Sequence, residues 1–303
     1  MKTFCPSSKI FSLKEDDLSL HERMLGMEIT RKKPNSFLTK TNGFLQGYSY
    51  SLNPYVGCSY GCQYCYVQKL PVAMFKKKEW GKWVEIKEEK PNQFLGELKR
   101  AKKKGKVTIF MASSTDPYQP LEATELRTRR LLEVMTEIPP DFLFIQTRSP
   151  LVIRDIDLFQ KLGDRVLVSM TIETDREDVR KAFSPKAPPV QGRIASLKKL
   201  YEKNIPTQAA VSPVLPFSPQ FPMTLKEATN RVCLDDLFLG DGAGGRRSKM
   251  LGLSSKFSLI GEEDWFQPET LKHVKNQFRT VFRNDQIYIS REGFLPSIGG
   301  IKG

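Results

Sequence analysis

Two hydrophobic rhythms alternate along most of the chain. Short apolar runs stand at 107–112, 142–147, 166–172 and 207–214. Such runs predict strands buried on both faces, as in a parallel sheet. Between them apolar residues recur at helical spacing. The stretch 92–104 puts Phe94, Leu95, Leu98 and Ala101 on one face, and 122–138 gathers Leu126, Leu131, Leu132 and Met135. Shorter helices are expected at 156–162 and 177–183, and a longer one at 190–203 with Ile194, Leu197, Leu200 and Tyr201 apolar. Lys102-Lys103-Lys104 before Gly105 gives the helix at 92–104 a basic last turn and a stop. This alternation implies parallel βαβ units.

The ends are less regular. Residues 1–45 read as a partly ordered N-terminal extension, broken at Lys32-Lys33-Pro34-Asn35. A further strand is expected at 49–56 and the start of a helix at 67–75, before the solvated turn Lys76-Lys77-Lys78. Beyond Pro222 the pattern weakens to a helix and a sixth strand within 225–239, a flexible loop at 240–247, a helix at 265–282 and a loose tail from Gly293. The fold class is α/β, with six strands forming a partial (β/α)6 TIM-like barrel. The barrel would occupy 46–240 and a C-terminal loop and helical extension 241–303. In such a barrel the C-terminal strand ends carry the chemistry. The polar residues there are Ser113-Ser114-Thr115-Asp116, Arg148, Ser169, Glu173 and Ser212-Pro213.

Composition narrows the setting. No apolar run in the 303 residues is long enough to cross a bilayer, and residues 1–13 do not read as a secretory signal. The expected setting is therefore cytoplasmic, without a membrane partner. Five cysteines, three of them bunched, are not a disulfide framework and suit a reducing compartment. The net charge of +14 favours contact with nucleic acid or another polyanion. Scattered lysines that merely solubilise the surface would give the same number.

The bunched cysteines carry the chemistry. Cys58-x3-Cys62-x2-Cys65 lies within Asn53-Pro-Tyr-Val-Gly-Cys-Ser-Tyr-Gly-Cys-Gln-Tyr-Cys-Tyr-Val-Gln68. Gly57 and Gly61 precede two of the cysteines and permit a tight wrap. Three thiolates on one loop suggest a soft metal centre with one position left open. Structural zinc would need a fourth ligand from Cys5, Cys233, His21 or His273, none of them local. The other reading is a four-iron cluster with an open iron.

Cys-x3-Cys-x2-Cys with an aromatic residue, Tyr64, before the last cysteine resembles the signature of radical S-adenosylmethionine (SAM) enzymes. That resemblance implies a [4Fe-4S] cluster held by Cys58, Cys62 and Cys65, with S-adenosyl-L-methionine on the fourth iron. It implies a 5′-deoxyadenosyl radical that abstracts hydrogen, an external flavodoxin- or ferredoxin-like one-electron reductant, and a partial barrel. Asn53-Pro-Tyr, Cys65-Tyr66 and Ser114-Thr-Asp-Pro-Tyr-Gln-Pro120 narrow it to the spore photoproduct lyase-related branch, over residues 45–225. Carried over position by position, the branch implies cofactor contacts from Tyr64, Tyr66, Thr115, Asp116, Arg148 (in place of a lysine), Ser169 and Ala210. A nucleic-acid or nucleotide substrate follows from the same resemblance.

One departure counts against dimer repair itself. The position where repair lyases of that branch carry a hydrogen-donating cysteine is Ser113. A serine O–H bond is too strong for that task. Cys233 would replace it only if folding brought it to the cavity, and its plainer reading is a buried small residue on a helix. Two rivals stay open on sequence: an iron–sulfur redox or sensor protein, and a zinc-dependent nucleic-acid-binding module.

Overall fold

A computed structural model describes residues 26–296. Eight strands form one sheet in the order β11-β10-β9-β8-β7-β6-β3-β2. Six are the expected ones: β3 (Tyr50–Leu52), β6 (Thr108–Met111), β7 (Phe142–Thr147), β8 (Val166–Thr171), β9 (Thr207–Val211) and β10 (Val232–Leu234). All six run parallel, which right-handed helical crossovers require. Two edge strands were not expected. β2 (Leu38–Lys40) pairs antiparallel with β3, and β11 (Ile287–Ile289) pairs parallel with β10. β2 and β11 lie at opposite ends of the order, so the barrel is partial.

The segment before residue 46, read as irregular, thus supplies an edge strand. It also supplies β1 (Glu28–Lys32), which joins β4 (Tyr55–Val56) and the unexpected β5 (Trp83–Lys87) in a three-stranded sheet of order β1-β5-β4. The single strand read at 49–56 is therefore split between two sheets. The helix read at 122–138 is also broken. Leu126 has φ +54°, and the carboxylate of Glu122 accepts from the backbone N–H groups of Thr128 (2.9 Å) and Arg129 (3.2 Å). That carboxylate caps the helix Arg127–Glu137, whose first N–H groups have no partner of their own.

Alternation across the sheet separates two environments. Ile109, Met111, Leu143, Ile145, Val168 and Met170 face the helices in the main core. Their neighbours Phe110, Phe144 and Leu167 join Tyr48, Cys233 and Phe294 in an aromatic floor, where Phe110 and Phe144 stack at 4.9 Å. Of the tail read as loose from Gly293, Gly293 and Phe294 close this floor within the turn Ser290–Phe294, and residues 297–303 lie outside the described residues. Gly293 permits it: a Cβ there would come within 2.3 Å of the Cys233 sulfur. Cys233 lies on strand β10, not on a helix, and is fully buried with its Sγ 3.5 Å from the Ser290 carbonyl. The loop read as flexible at 240–247 is fixed by Asp241, whose carboxylate accepts from the backbone N–H groups of Ala243, Gly245, Arg247 and Ser248.

Candidate active site

Local sterics set the cysteine loop. Gly57 has φ +84°, and a Cβ there would sit 2.6 Å from the Trp83 carbonyl oxygen. Gly61 has φ +57° and packs backbone to backbone on Gly81, so neither tolerates a side chain. Turn bonds from Gly61 N to Cys58 O (3.3 Å) and from Cys65 N to Cys62 O (3.1 Å) wind the loop. Side chains then anchor it. Ser59 N donates to Gln119 Oε1 (2.9 Å), Gln68 Nε2 donates to the Cys62 carbonyl (3.0 Å), and the Thr115 hydroxyl donates to the Gly57 carbonyl.

The loop and the strand ends enclose one cavity of about 560 Å³, within the range of roughly 300–1,000 Å³ usual for small-molecule sites. Cys58, Cys62, Cys65, Tyr64 and Tyr66 line one side, and all three thiols are free. Ser113, Thr115 and Asp116 follow β6, Gln146 and Arg148 come from β7, and Thr171 from β8. Ser212 and Pro213, joined by a cis peptide, follow β9, while Asp235 and Asp236 follow β10. The structure thus brings together eight of the ten residues singled out from the sequence. Ser169 and Ala210 do not line the cavity. They sit one inward-facing step deeper, and Ser169 accepts from Gln208 Nε2 at 3.1 Å. On the same strands the bordering hydroxyls are Thr171 and Ser212.

Several expected cofactor contacts also build the scaffold. Asp116 accepts from Tyr118 N (2.9 Å), the Thr147 hydroxyl (2.7 Å) and Arg148 N (2.8 Å), which ties the loop after β6 to the end of β7. Burial pushes its carboxyl upward, against these bonds. Arg148 Nη1 donates to the Tyr64 hydroxyl at 2.6 Å and pairs with Glu173. Glu173 also accepts from Arg193 at 2.6 Å and from the Tyr64 hydroxyl. Burial raises the Glu173 carboxyl, but the Arg148 and Arg193 guanidinium groups outweigh it and hold it at about 2. Tyr66 donates to the Ser113 carbonyl at 3.3 Å.

Burial pushes all three thiols upward, Cys65 to about 12, and Cys62 adds to the rise at both Cys58 and Cys65. A buried set of three soft donors is stable as thiolates only with a cationic centre beside it. The fourth ligands weighed for zinc are misplaced. Cys233 is in the aromatic floor, and His273 is exposed on the helix Thr270–Phe278, while Cys5 and His21 lie outside the described residues. The donor set fits a multi-iron cluster.

Sequence reading missed Gln146, Asp235 and Asp236. Only Gln146 left a trace, as a polar residue interrupting an apolar strand. No helix among the described residues is long and apolar enough to cross a membrane.

Comparison with known proteins follows the same lines. An uncharacterized protein of Methanocaldococcus jannaschii is 35% identical over 190 residues, covering 63% of this chain and 69% of that one. An uncharacterized protein of Acidianus two-tailed virus is 31% identical over 175 residues, 55% of this chain and 56% of its own length. A cysteine-to-serine variant of spore photoproduct lyase shares the fold with a TM-score of 0.63 over 94% of this chain and 87% of that one, at 13% identity. Spore photoproduct lyase complexed with dinucleoside spore photoproduct gives 0.61 over 93% and 87%, at 12% identity. The Radical SAM superfamily matches residues 52–221, more than half of the chain and the whole span from the cysteine loop through β9. The chain belongs to the Radical SAM superfamily and is a radical SAM enzyme.

Proposed function

We propose that Cys58, Cys62 and Cys65 hold a [4Fe-4S] cluster, that S-adenosylmethionine occupies the adjoining cavity, and that the enzyme abstracts hydrogen from a nucleic-acid or nucleotide substrate. The observation that carries this reading is that three free thiols, two buried and Cys65 partly so, line one cavity that also presents a fixed guanidinium and several hydroxyls. When bound, the reduced cluster supplies the electron that cleaves the sulfonium to a 5′-deoxyadenosyl radical.

The protein's own groups bind and orient. Nη1 of Arg148 is committed to Tyr64 and Glu173. The rest of its guanidinium is left for the methionyl carboxylate, which it can meet in a forked geometry that a lysine lacks. Glu173, itself pinned by Arg193, keeps that guanidinium from swinging away. Thr171, Ser212 and Tyr66 offer hydroxyls at the cavity wall, and Thr115 and Asp116 fix the loops that carry the thiols and Arg148. Ser169 and Ala210 support this wall from the layer beneath.

The substrate class rests on two supports. The net charge of +14 favours a polyanion, and spore photoproduct lyase, of the same fold, has been seen with AdoMet and dinucleoside spore photoproduct bound. Ser113 lines the cavity where the branch resemblance places a thiol, and Cys233 is away in the floor. We therefore propose the abstraction step and not dimer reversal.

The test is anaerobic reconstitution. Iron and sulfide near ~4 each per chain, and 5′-deoxyadenosine released from S-adenosylmethionine under dithionite, are expected. Zinc without iron, or no 5′-deoxyadenosine from the reduced protein, would overturn the reading. Deuterated oligonucleotides that pass label into 5′-deoxyadenosine would establish the substrate class.

A further inference from the structure

The cavity wall holds two side chains that the cofactor contacts leave unused. Of the large hydrophobic side chains left exposed among the described residues, Phe44 alone borders the cavity. Gly43 opens the turn Gly43–Leu45 with φ +59°, in the left-handed region that glycine enters at no steric cost. The turn packs Leu45 against the aromatic floor and leaves Phe44 38% exposed. Among the described residues Phe44 meets one other ring, Phe294, at 6.1 Å and 52°. That contact is tilted, so it does not occupy a stacking face.

Two cationic side chains border the cavity among the described residues, Arg148 and Arg247. Arg148 is engaged by Tyr64 and Glu173 and is assigned to the methionyl carboxylate. Arg247 is held in place without being neutralised. The Asp241 carboxylate accepts from its backbone N–H at 2.8 Å, and the Asp241 carbonyl accepts from its Nη1. Asp235, Asp236 and Asp241 border the cavity from the same segment, but their carboxylates are turned to backbone. Asp235 accepts from Asp236 N (3.0 Å), Asp236 from Phe238 N (2.8 Å) and Leu239 N (2.6 Å), and Asp241 from the loop it fixes. Among the described residues Arg247 forms no ion pair, so its other donors are left for a ligand in the cavity. A guanidinium edge of this kind is suited to a phosphate.

We propose that Phe44 and Arg247 form a nucleotide subsite of this cavity, in which Phe44 stacks on an unpaired base and Arg247 holds the phosphate attached to it. The inference deepens the proposed function and rests on it. S-adenosylmethionine brings one carboxylate, which Arg148 takes, so the second guanidinium answers to an anion on the second reactant. The exposed ring answers to a flat apolar group on that same reactant. A base inside a duplex has both faces covered, so the substrate enters as a single strand or with its base extruded. Two plainer roles compete for Arg247. As a mere clamp on the loop 240–247 it would affect every ligand alike. As a second anchor for the methionyl carboxylate it would affect S-adenosylmethionine and not the nucleotide.

The test uses the full chain with its cluster loaded but unreduced and with S-adenosylmethionine saturating, so that nothing turns over. Calorimetry compares thymidine 5′-monophosphate with thymidine, which lacks the phosphate, and with deoxyribose 5-phosphate, which lacks the base. The native protein should bind the nucleotide at least ~10-fold more tightly than either fragment. Arg247→Gln should bring the nucleotide down to the affinity of thymidine and leave thymidine itself unchanged. Arg247→Lys should keep part of the preference, as a point charge without the fork. Phe44→Ala should bring the nucleotide down to the affinity of deoxyribose 5-phosphate, and Phe44→Trp should keep the native value. Equal affinities for the nucleotide and its fragments in the native protein would overturn the proposal. So would an Arg247→Gln variant that weakens all three probes alike, or that weakens S-adenosylmethionine and spares the nucleotide. If dithionite yields 5′-deoxyadenosine in a chain that binds no nucleotide, the subsite fails and the cofactor chemistry stands. Nucleotide binding with the expected variant pattern but no 5′-deoxyadenosine supports the subsite and sinks the cofactor chemistry.

Discussion

Glu173 and Asp235 are buried carboxylates at the same rim of the barrel, just beyond β8 and β10. Burial raises both, yet Glu173 ends at about 2 and Asp235 at about 7. The difference is their company. Glu173 sits between the guanidinium groups of Arg148 and Arg193. Asp235 has the carboxylates of Asp236 and Asp241 nearby, softened by a hydrogen bond with Ser290. Desolvation is a common penalty, and the sign of the neighbouring charge decides whether it is overcome. One side of the mouth therefore carries a permanent ion pair. The other carries a group that exchanges its proton near neutrality.

Removing the anion between the two arginines should have the largest effect. Glu173→Ala strands two buried cations and is expected to cost about 3–5 kcal/mol in chemical denaturation, with Tm falling accordingly. Asp235→Asn acts in the opposite direction. A carboxyl raised to about 7 lets native stability fall as pH rises from about 4 through 7. The variant should lose that slope and gain up to about 4 kcal/mol relative to native at pH 8.

Acid titration of the native protein sharpens the contrast. Glu173, depressed to about 2, stabilises the fold above its unfolded value of 4.5, and that contribution is lost as pH falls through about 2. The loss is about 3 kcal/mol, and Glu173→Gln should flatten this part of the curve. The smallest effect is expected from Thr171→Val. It removes the hydroxyl that accepts from Gln146 Nε2 at 2.6 Å, costing about 1 kcal/mol, and weakens S-adenosylmethionine binding several-fold by calorimetry. If Thr171→Val leaves that affinity unchanged and Ser169→Ala reduces it, the cofactor sits one layer deeper than the cavity outline indicates.

The parallel core was legible because its strands are buried on both faces, so predominantly apolar runs at 142–147 and 166–172 reveal them directly. β2, β11 and β5 were not legible. The two edge strands have only three residues each, and β5 is a five-residue strand in a small outer sheet with Glu85 and Lys87 only partly buried, so none carries enough pattern to stand out. The break at Leu126 was hidden because it depends on Glu122 reaching two backbone N–H groups, which helical periodicity does not encode. Among the cavity residues, the cysteines were readable from spacing, since one short loop carries all three. Ser169 and Ala210 lie one inward step below the residues that border the cavity, because a period of two fixes which face a side chain takes but not how far up the barrel the cavity begins.

The sequence by itself determined the three-cysteine loop, the βαβ succession and the strand ends that border the cavity, because these depend on local spacing and periodicity. Only the tertiary structure decided which of those strand-end residues border the cavity, and which are tied into the scaffold. Asp116 and Arg148 have their bonds fixed by residues about 30 and 25–84 positions away. The floor closed by Phe294 over Gly293, and the divergent proton affinities of Glu173 and Asp235, arise the same way. Each depends on charges and shapes that meet only when distant segments pack.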